Sequence, residues 1–96
     1  MFEVMEIARF KFVEPVDAAQ AAAEVEVWLA AQPGFRSRVL LGPDREGYYT
    51  DLVRWGTAAA AEAAMAAMAQ SDVAMAFMAR IDPASVQMSH APVLAG

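Results

Sequence analysis

Residues 2–12, FEVMEIARFKF, alternate imperfectly: Phe2, Val4, Ala8, Phe10 and Phe12 share one parity, Met5 and Ile7 the other. That pattern, rich in aromatic and branched side chains, predicts a strand at least partly covered on both faces. Glu6 is the oddity, a carboxylate in the parity of the phenylalanines. The period then changes. In residues 17–34, DAAQAAAEVEVWLAAQPG, Ala21, Val25, Trp28, Leu29 and Gln32 fall along one helical face. Asp17 with Gln20 reads as a capping box, and Pro33-Gly34 stops the helix.

Residues 35–55, FRSRVLLGPDREGYYTDLVRW, read as a hairpin whose turn opens at Gly42-Pro43-Asp44 and closes at Gly47. Setting Gly42 opposite Gly47 puts Leu40 against Tyr49, Arg38 against Asp51 and Arg36 against Val53. Opposite charges facing each other on a ladder gain about 0.2–1 kcal/mol, so an Arg38–Asp51 ion pair is expected. On this reading Val39, Leu41, Tyr48 and Leu52 turn toward the helices, and Tyr49, Val53 and Trp55 turn away.

Thr57 caps a second helix over residues 58–70, with Ala61, Ala64, Met65 and Met68 as its stripe. Ser71 caps a shorter one carrying Val73, Met75, Phe77, Met78 and Ile81, which Asp82-Pro83 ends. SVQMSHAPVL, residues 85–94, is the last strand. The expected class is therefore α+β: a ferredoxin-like βαββαβ unit with a four-stranded antiparallel sheet and helices on one face. The whole of residues 1–96 reads as one domain. The sheet's other face needs a cover, and a second copy of the sheet supplies one.

Composition narrows the choice. The chain is 58% hydrophobic, so it folds, but much of that share is alanine, which buries little area per residue. Small domains with modest cores gain stability by associating, a second reason to expect a homodimer. A net charge of −5 with a single lysine, Lys11, argues against a nucleic-acid partner. Cysteine is absent, which removes disulfide and thiolate chemistry. The opening residues Met1-Phe2-Glu3-Val4 lack a signal peptide's basic and apolar regions, and no apolar run has membrane-spanning length. A cytoplasmic protein with no membrane partner is expected, and the Ala and Arg bias suggests a bacterial source.

The stretches EIARFKF, QPGFRSRVLL, YYTDLVRW and FMARIDPASVQMSHAPVL together resemble the antibiotic biosynthesis monooxygenase-like family of the dimeric α/β-barrel superfamily. The resemblance spans nearly the whole chain and implies a dimeric α/β barrel. The superfamily includes cofactor-free oxygenases of aromatic polyketides and haem-degrading oxygenases. The haem enzymes use an asparagine on the first strand, a tryptophan at the strand–helix junction and a histidine on the second helix. Trp55 matches the tryptophan, but the other two positions fall near Ala8 and Met65, and the chain has no asparagine. Haem degradation is not expected, and neither a cofactor nor a metal site is read from the sequence.

The candidates for contact with a ligand are Trp55, Tyr49, Arg38, Glu6, Met65, Phe77 and His90. Each also has a structural reading. Trp55 is a plug at the end of the sheet or the wall of a pocket. His90, the only histidine, is a hydrogen-bonded strand residue at the dimer seam or a titrating group. Glu6 is one half of an ion pair or, among apolar neighbours, a carboxyl with a raised pKa fit to act as a base. The methionines of the second and third helices are adaptable filling or a compliant ligand wall. Three functions fit: binding of a small hydrophobic or aromatic molecule between sheet and helices, cofactor-independent oxygenation of an aromatic or quinol substrate, and pure association as a dimer.

Overall fold

A computed structural model describes residues 2–96. Strand β1 (Val4–Phe10) leads into helix α1 (Ala18–Ala30), the hairpin β2 (Phe35–Leu41) and β3 (Tyr49–Trp55), helices α2 (Ala58–Met68) and α3 (Asp72–Ala79), and strand β4 (Gln87–Pro92). The strands form one antiparallel sheet in the order β2-β3-β1-β4, the ferredoxin-like arrangement. Every helix starts where a short polar side chain can satisfy a free backbone N–H: Asp17 accepts from Gln20, Thr57 from Ala60 and Ser71 from Ala74.

Gly34 accounts for the Pro-Gly stop. Its φ is +83°, and a Cβ there would lie 2.5 Å from the Ala60 Cβ. Its carbonyl accepts the Gly56 N–H at 2.7 Å. The exit of α1 and the entry of α2 therefore touch backbone to backbone, and alanine on α2 permits the approach. This seats α2 low over Trp55, the largest fully buried side chain.

The hairpin register differs from the expected one by two residues. Leu40 faces Asp51, Arg38 faces Val53 and Leu41 faces Thr50, with a bulge between Phe35 and Ser37. A shift of two keeps each residue on its face. The faces themselves, however, are the reverse of those expected. Trp55 and Val53 are buried against Ala61 and Ala64 under the helices, and Tyr49 packs on Phe10 and Phe12. Val39 and Leu41 are exposed on the underside. The expectation failed because it sent the charged pair to the wet face, whereas Arg38 and Asp51 satisfy each other and remain buried.

The core has two lobes. One gathers Phe10, Ala21, Val25, Ala74, Phe77 and Ile81; the other gathers Val53, Trp55, Ala61 and Ala64, with Leu29 and Phe35 packed on it. On the underside, Val39, Leu52 and Ile7 form an apolar row across three strands. Arg54 and Arg9 flank that row, the first bound to Glu3 at 2.7 Å and the second to Asp44 at 3.0 Å.

Candidate functional site: a polar belt beneath the helices

Between the two lobes, polar side chains cross the whole sheet on its helix-covered face. Arg38 on β2 grips Asp51 on β3 through Nε–Oδ1 (2.9 Å) and Nη2–Oδ2 (2.7 Å), and its Nη1 donates to the Ala22 carbonyl of α1 at 3.1 Å. Burial opposes the guanidinium charge most strongly, but the two bonds donated to Asp51 and the negative charges of Asp51, Glu26 and Glu6 together outweigh it and push the Arg38 pKa up. Asp51 lies diagonally from Glu6 on β1, whose direct ladder partner on β4 is His90. Glu6 Oε1 accepts the Trp55 indole N–H at 3.2 Å and lies 3.7 Å from His90 Nε2.

Glu6 is the unusual member. Burial pushes its pKa above the ordinary 4.5, and Asp51 adds to the push, while His90 and the Trp55 N–H pull it down. Asp51 has its arginine; Glu6 has none within ion-pair distance. The carboxyl lines a small cavity of about 40 Å³ with Trp28, Leu29, Trp55, Ala64, Met65 and Met68. That space holds about one water molecule. The interior around Trp55 is thus nearly filled, but one wall consists of two methionines with three rotatable bonds each, and Met65 is 42% exposed.

Of the side chains singled out in the sequence, Glu6, Trp55, Met65 and His90 meet here. Arg38 joins through Asp51 and sits 5.5 Å over the Phe77 ring. Phe77 and Tyr49 belong to the other lobe, where Tyr49 stacks on Phe10 and the remaining contacts with Phe10 and Phe12 are edge-to-face. His90 is on the helix-side face of the open edge strand. Asp51, Trp28 and Met68 were not singled out as site residues. Asp51 was legible as the partner of Arg38 and Met68 as one of the methionines read as filling or a ligand wall; Trp28 was legible only as a member of a helical stripe. Among the described residues no three of His, Asp and Glu approach closely enough to hold a metal ion, and no helix is long and apolar enough to cross a membrane.

No protein-family model matches the sequence, and no curated protein matches it. Solved structures do match across its length. A variant of SnoaB, a cofactor-independent oxygenase from Streptomyces nogalater, superposes with a TM-score of 0.77 at 21% identity, covering 100% of this chain and 97% of that one. A protein described provisionally as an antibiotic biosynthesis monooxygenase, from Bordetella bronchiseptica, gives 0.74 at 17%, covering 99% and 100%. A dimeric ferredoxin-like protein of unknown function from Jannaschia sp. CCS1 gives 0.66 at 18%, covering 95% and 99%. The chain has the ferredoxin-like fold of the antibiotic biosynthesis monooxygenase-like structures, as the resemblance in its sequence implied.

Proposed function

We propose that this chain is a cytoplasmic, homodimeric domain that binds a small flat aromatic molecule carrying a hydroxyl group, between α2 and the sheet at Glu6 and Trp55. One observation carries the reading: a carboxyl without an arginine partner is buried beside an indole, under a helix wall of alanine and methionine. The carboxyl satisfies the buried Trp55 N–H, but a neutral acceptor would do the same without the cost of burying an ionisable group, a cost that a ligand's hydroxyl would offset. The ligand enters by displacing Met65 and Met68, and the carboxyl takes the hydroxyl hydrogen bond. Dimerisation covers the Val39–Leu52–Ile7 row, in keeping with the dimeric ferredoxin-like protein among the similar structures.

Titration with 4-nitrophenol, followed by quenching of Trp28 and Trp55, tests the binding. Saturable quenching is expected, with affinity at least about tenfold weaker for 4-nitroanisole, because a site that pairs a hydroxyl leaves a buried group unpaired when that hydroxyl is missing. Absence of saturable quenching with either compound would leave the near-filled interior as packing alone, and the chain as an association module.

A second reading, cofactor-independent oxygenation, has one specific support: the similar structure described as a cofactor-independent oxygenase. A base beside an aromatic wall is the arrangement such chemistry needs, since an ionised quinol gives up an electron more readily than a neutral one. Oxygen uptake with quinol-like compounds, abolished by Glu6→Gln, is its test.

A further inference from the structure

We infer that His90 is the proton-carrying partner of Glu6, the two side chains forming one unit through which the carboxyl at the cavity exchanges its proton with solvent at the open edge of β4. Side-chain exposure rises in order along the belt: 4% at Arg38, 11% at Asp51, 17% at Glu6 and 37% at His90. The belt is sealed at one end by a doubly bonded ion pair and opens to water at the other. Glu6 and His90 are direct cross-strand partners, and Nε2 stands 3.7 Å from Oε1, a gap that a small rotation of the half-exposed imidazole closes.

Besides the carboxyl's own partial exposure, His90 is the one titratable side chain among the described groups around Glu6 that can relay its proton. Helices α1 and α2 present Trp28, Leu29, Ala64, Met65 and Met68 to it, none of which takes up or releases a proton at accessible pH. The charged groups that act on it are Asp51 from β3 and His90 from β4, with Arg38 of β2 held by Asp51; Glu26 of α1 acts on Arg38. Asp51, with both oxygens bound to Arg38, is occupied.

The inference rests on the binding of a hydroxyl-bearing ligand at Glu6. The proton balance is closed. The ligand O–H breaks with its electron pair left on oxygen, and the carboxylate takes the proton. Glu6 passes it to His90 Nε2, and the imidazolium releases it to water. No electron changes hands.

Two experiments on the full chain decide the matter. In the ligand-free protein, the Glu6 carboxyl carbon and the His90 imidazole nitrogens are followed by NMR against pH. Each curve is expected to report both ionisations, because interacting groups titrate as a pair. His90→Gln should reduce the Glu6 curve to one step and move its midpoint up; Glu6→Gln should reduce the His90 curve to one step. Independent single-step curves in the wild type, or a Glu6 midpoint unmoved by His90→Gln, would overturn the unit. If one variant does not fold, the other and the wild-type curves still decide.

The second experiment measures proton transfer from bound 4-nitrophenol after a pH jump. It should slow about a hundredfold in His90→Ala and recover with added imidazole. An unchanged rate with binding intact overturns the role of His90. Failure of 4-nitrophenol to bind counts against the ligand reading instead, and the titration then decides the pair by itself.

Discussion

Arg38 and Asp51 share two hydrogen bonds of 2.9 and 2.7 Å although they do not face each other on the β2–β3 ladder; Arg38 is opposite Val53, and Asp51 lies one diagonal step away. A long, forked side chain reaches a diagonal carboxylate at the 7–8 Å spacing typical of such positions, roughly as well as a direct one. Their side chains are only 4% and 11% exposed, so this is a core ion pair and not a surface ornament.

Removing one half should therefore be costly. Arg38→Ala or Asp51→Ala is expected to lower unfolding stability by about 3–5 kcal/mol, because the remaining charge is left buried and alone. The double replacement Arg38→Met with Asp51→Leu should restore most of the loss. Urea unfolding of the three variants checks this; equal losses in the double and single variants would show that the pair itself, and not its stranded halves, sets the cost.

Glu6 makes a pH prediction of unusual sign. Its folded pKa is raised by burial above the ordinary value, so between the two values the folded chain holds a proton that the unfolded chain has lost. Its contribution is fully present below the unfolded pKa and is lost as pH rises through the folded one. Glu3 and Asp44 have the opposite sign: the first is lowered mainly by Arg54, the second by the Tyr48 backbone N–H, and their support is lost as pH falls. The difference between wild type and Glu6→Gln isolates Glu6. Glu6→Gln, which keeps an oxygen for the Trp55 N–H, should gain on the wild type as pH rises from about 4 to about 8, the range over which carboxyls with raised pKa values ionise. A gain that does not change with pH would contradict the shifted carboxyl.

Much of this arrangement was legible in the chain. Asp17, Thr57 and Ser71 announced three helix starts because capping depends on local spacing, which sequence displays directly. The Arg38–Asp51 pairing was legible for a similar reason, since two charges on one hairpin have few partners. The identity of the covered face was not. Alternation places Trp55, Val53 and Asp51 together but does not say which side the helices take, and a charged pair argued for the wrong one. Only Arg38's third bond, to the Ala22 carbonyl in the middle of α1, reveals why that side can be dry. Glu6 drew attention as a carboxylate among phenylalanines, but its partners come from positions 49 and 84 residues away in sequence, Trp55 and His90, and no periodicity joins those.

The underside carries the prediction for assembly. Ile7 and Leu52 are cross-strand partners at the centre of its apolar row. Leu52→Glu should convert the proposed dimer to a monomer at micromolar concentration with the fold retained, because a carboxylate facing its own symmetry mate is both desolvated and repelled. Light scattering after gel filtration, with far-ultraviolet circular dichroism as the control, reads this out. A wild type already monomeric at high concentration would remove the basis for the proposed dimer.

Gly34 should resist replacement more than any exposed glycine. Gly34→Ala sets a Cβ 2.5 Å from that of Ala60 at a φ of +83°, so α2 must lift or the turn must rearrange. A loss of about 1–3 kcal/mol is expected from the backbone conformation alone. Gly47→Ala provides the comparison, since its φ is also positive at +86° but nothing lies within 4 Å of its added carbon. Thermal melts of the two should separate the cost of contact from the cost of conformation; identical losses would mean that the approach to Ala60 is soft.

The most direct measurement of the proposed site is an isotope-edited nuclear Overhauser experiment on methyl-labelled protein with bound 4-nitrophenol. Contacts are expected from the ring protons to the methyl groups of Met65 and Met68, with none to Met88 or Met78 outside the cavity lining. Contacts confined to methionines outside that lining, or none at saturating probe, would contradict a ligand site at Glu6 and Trp55.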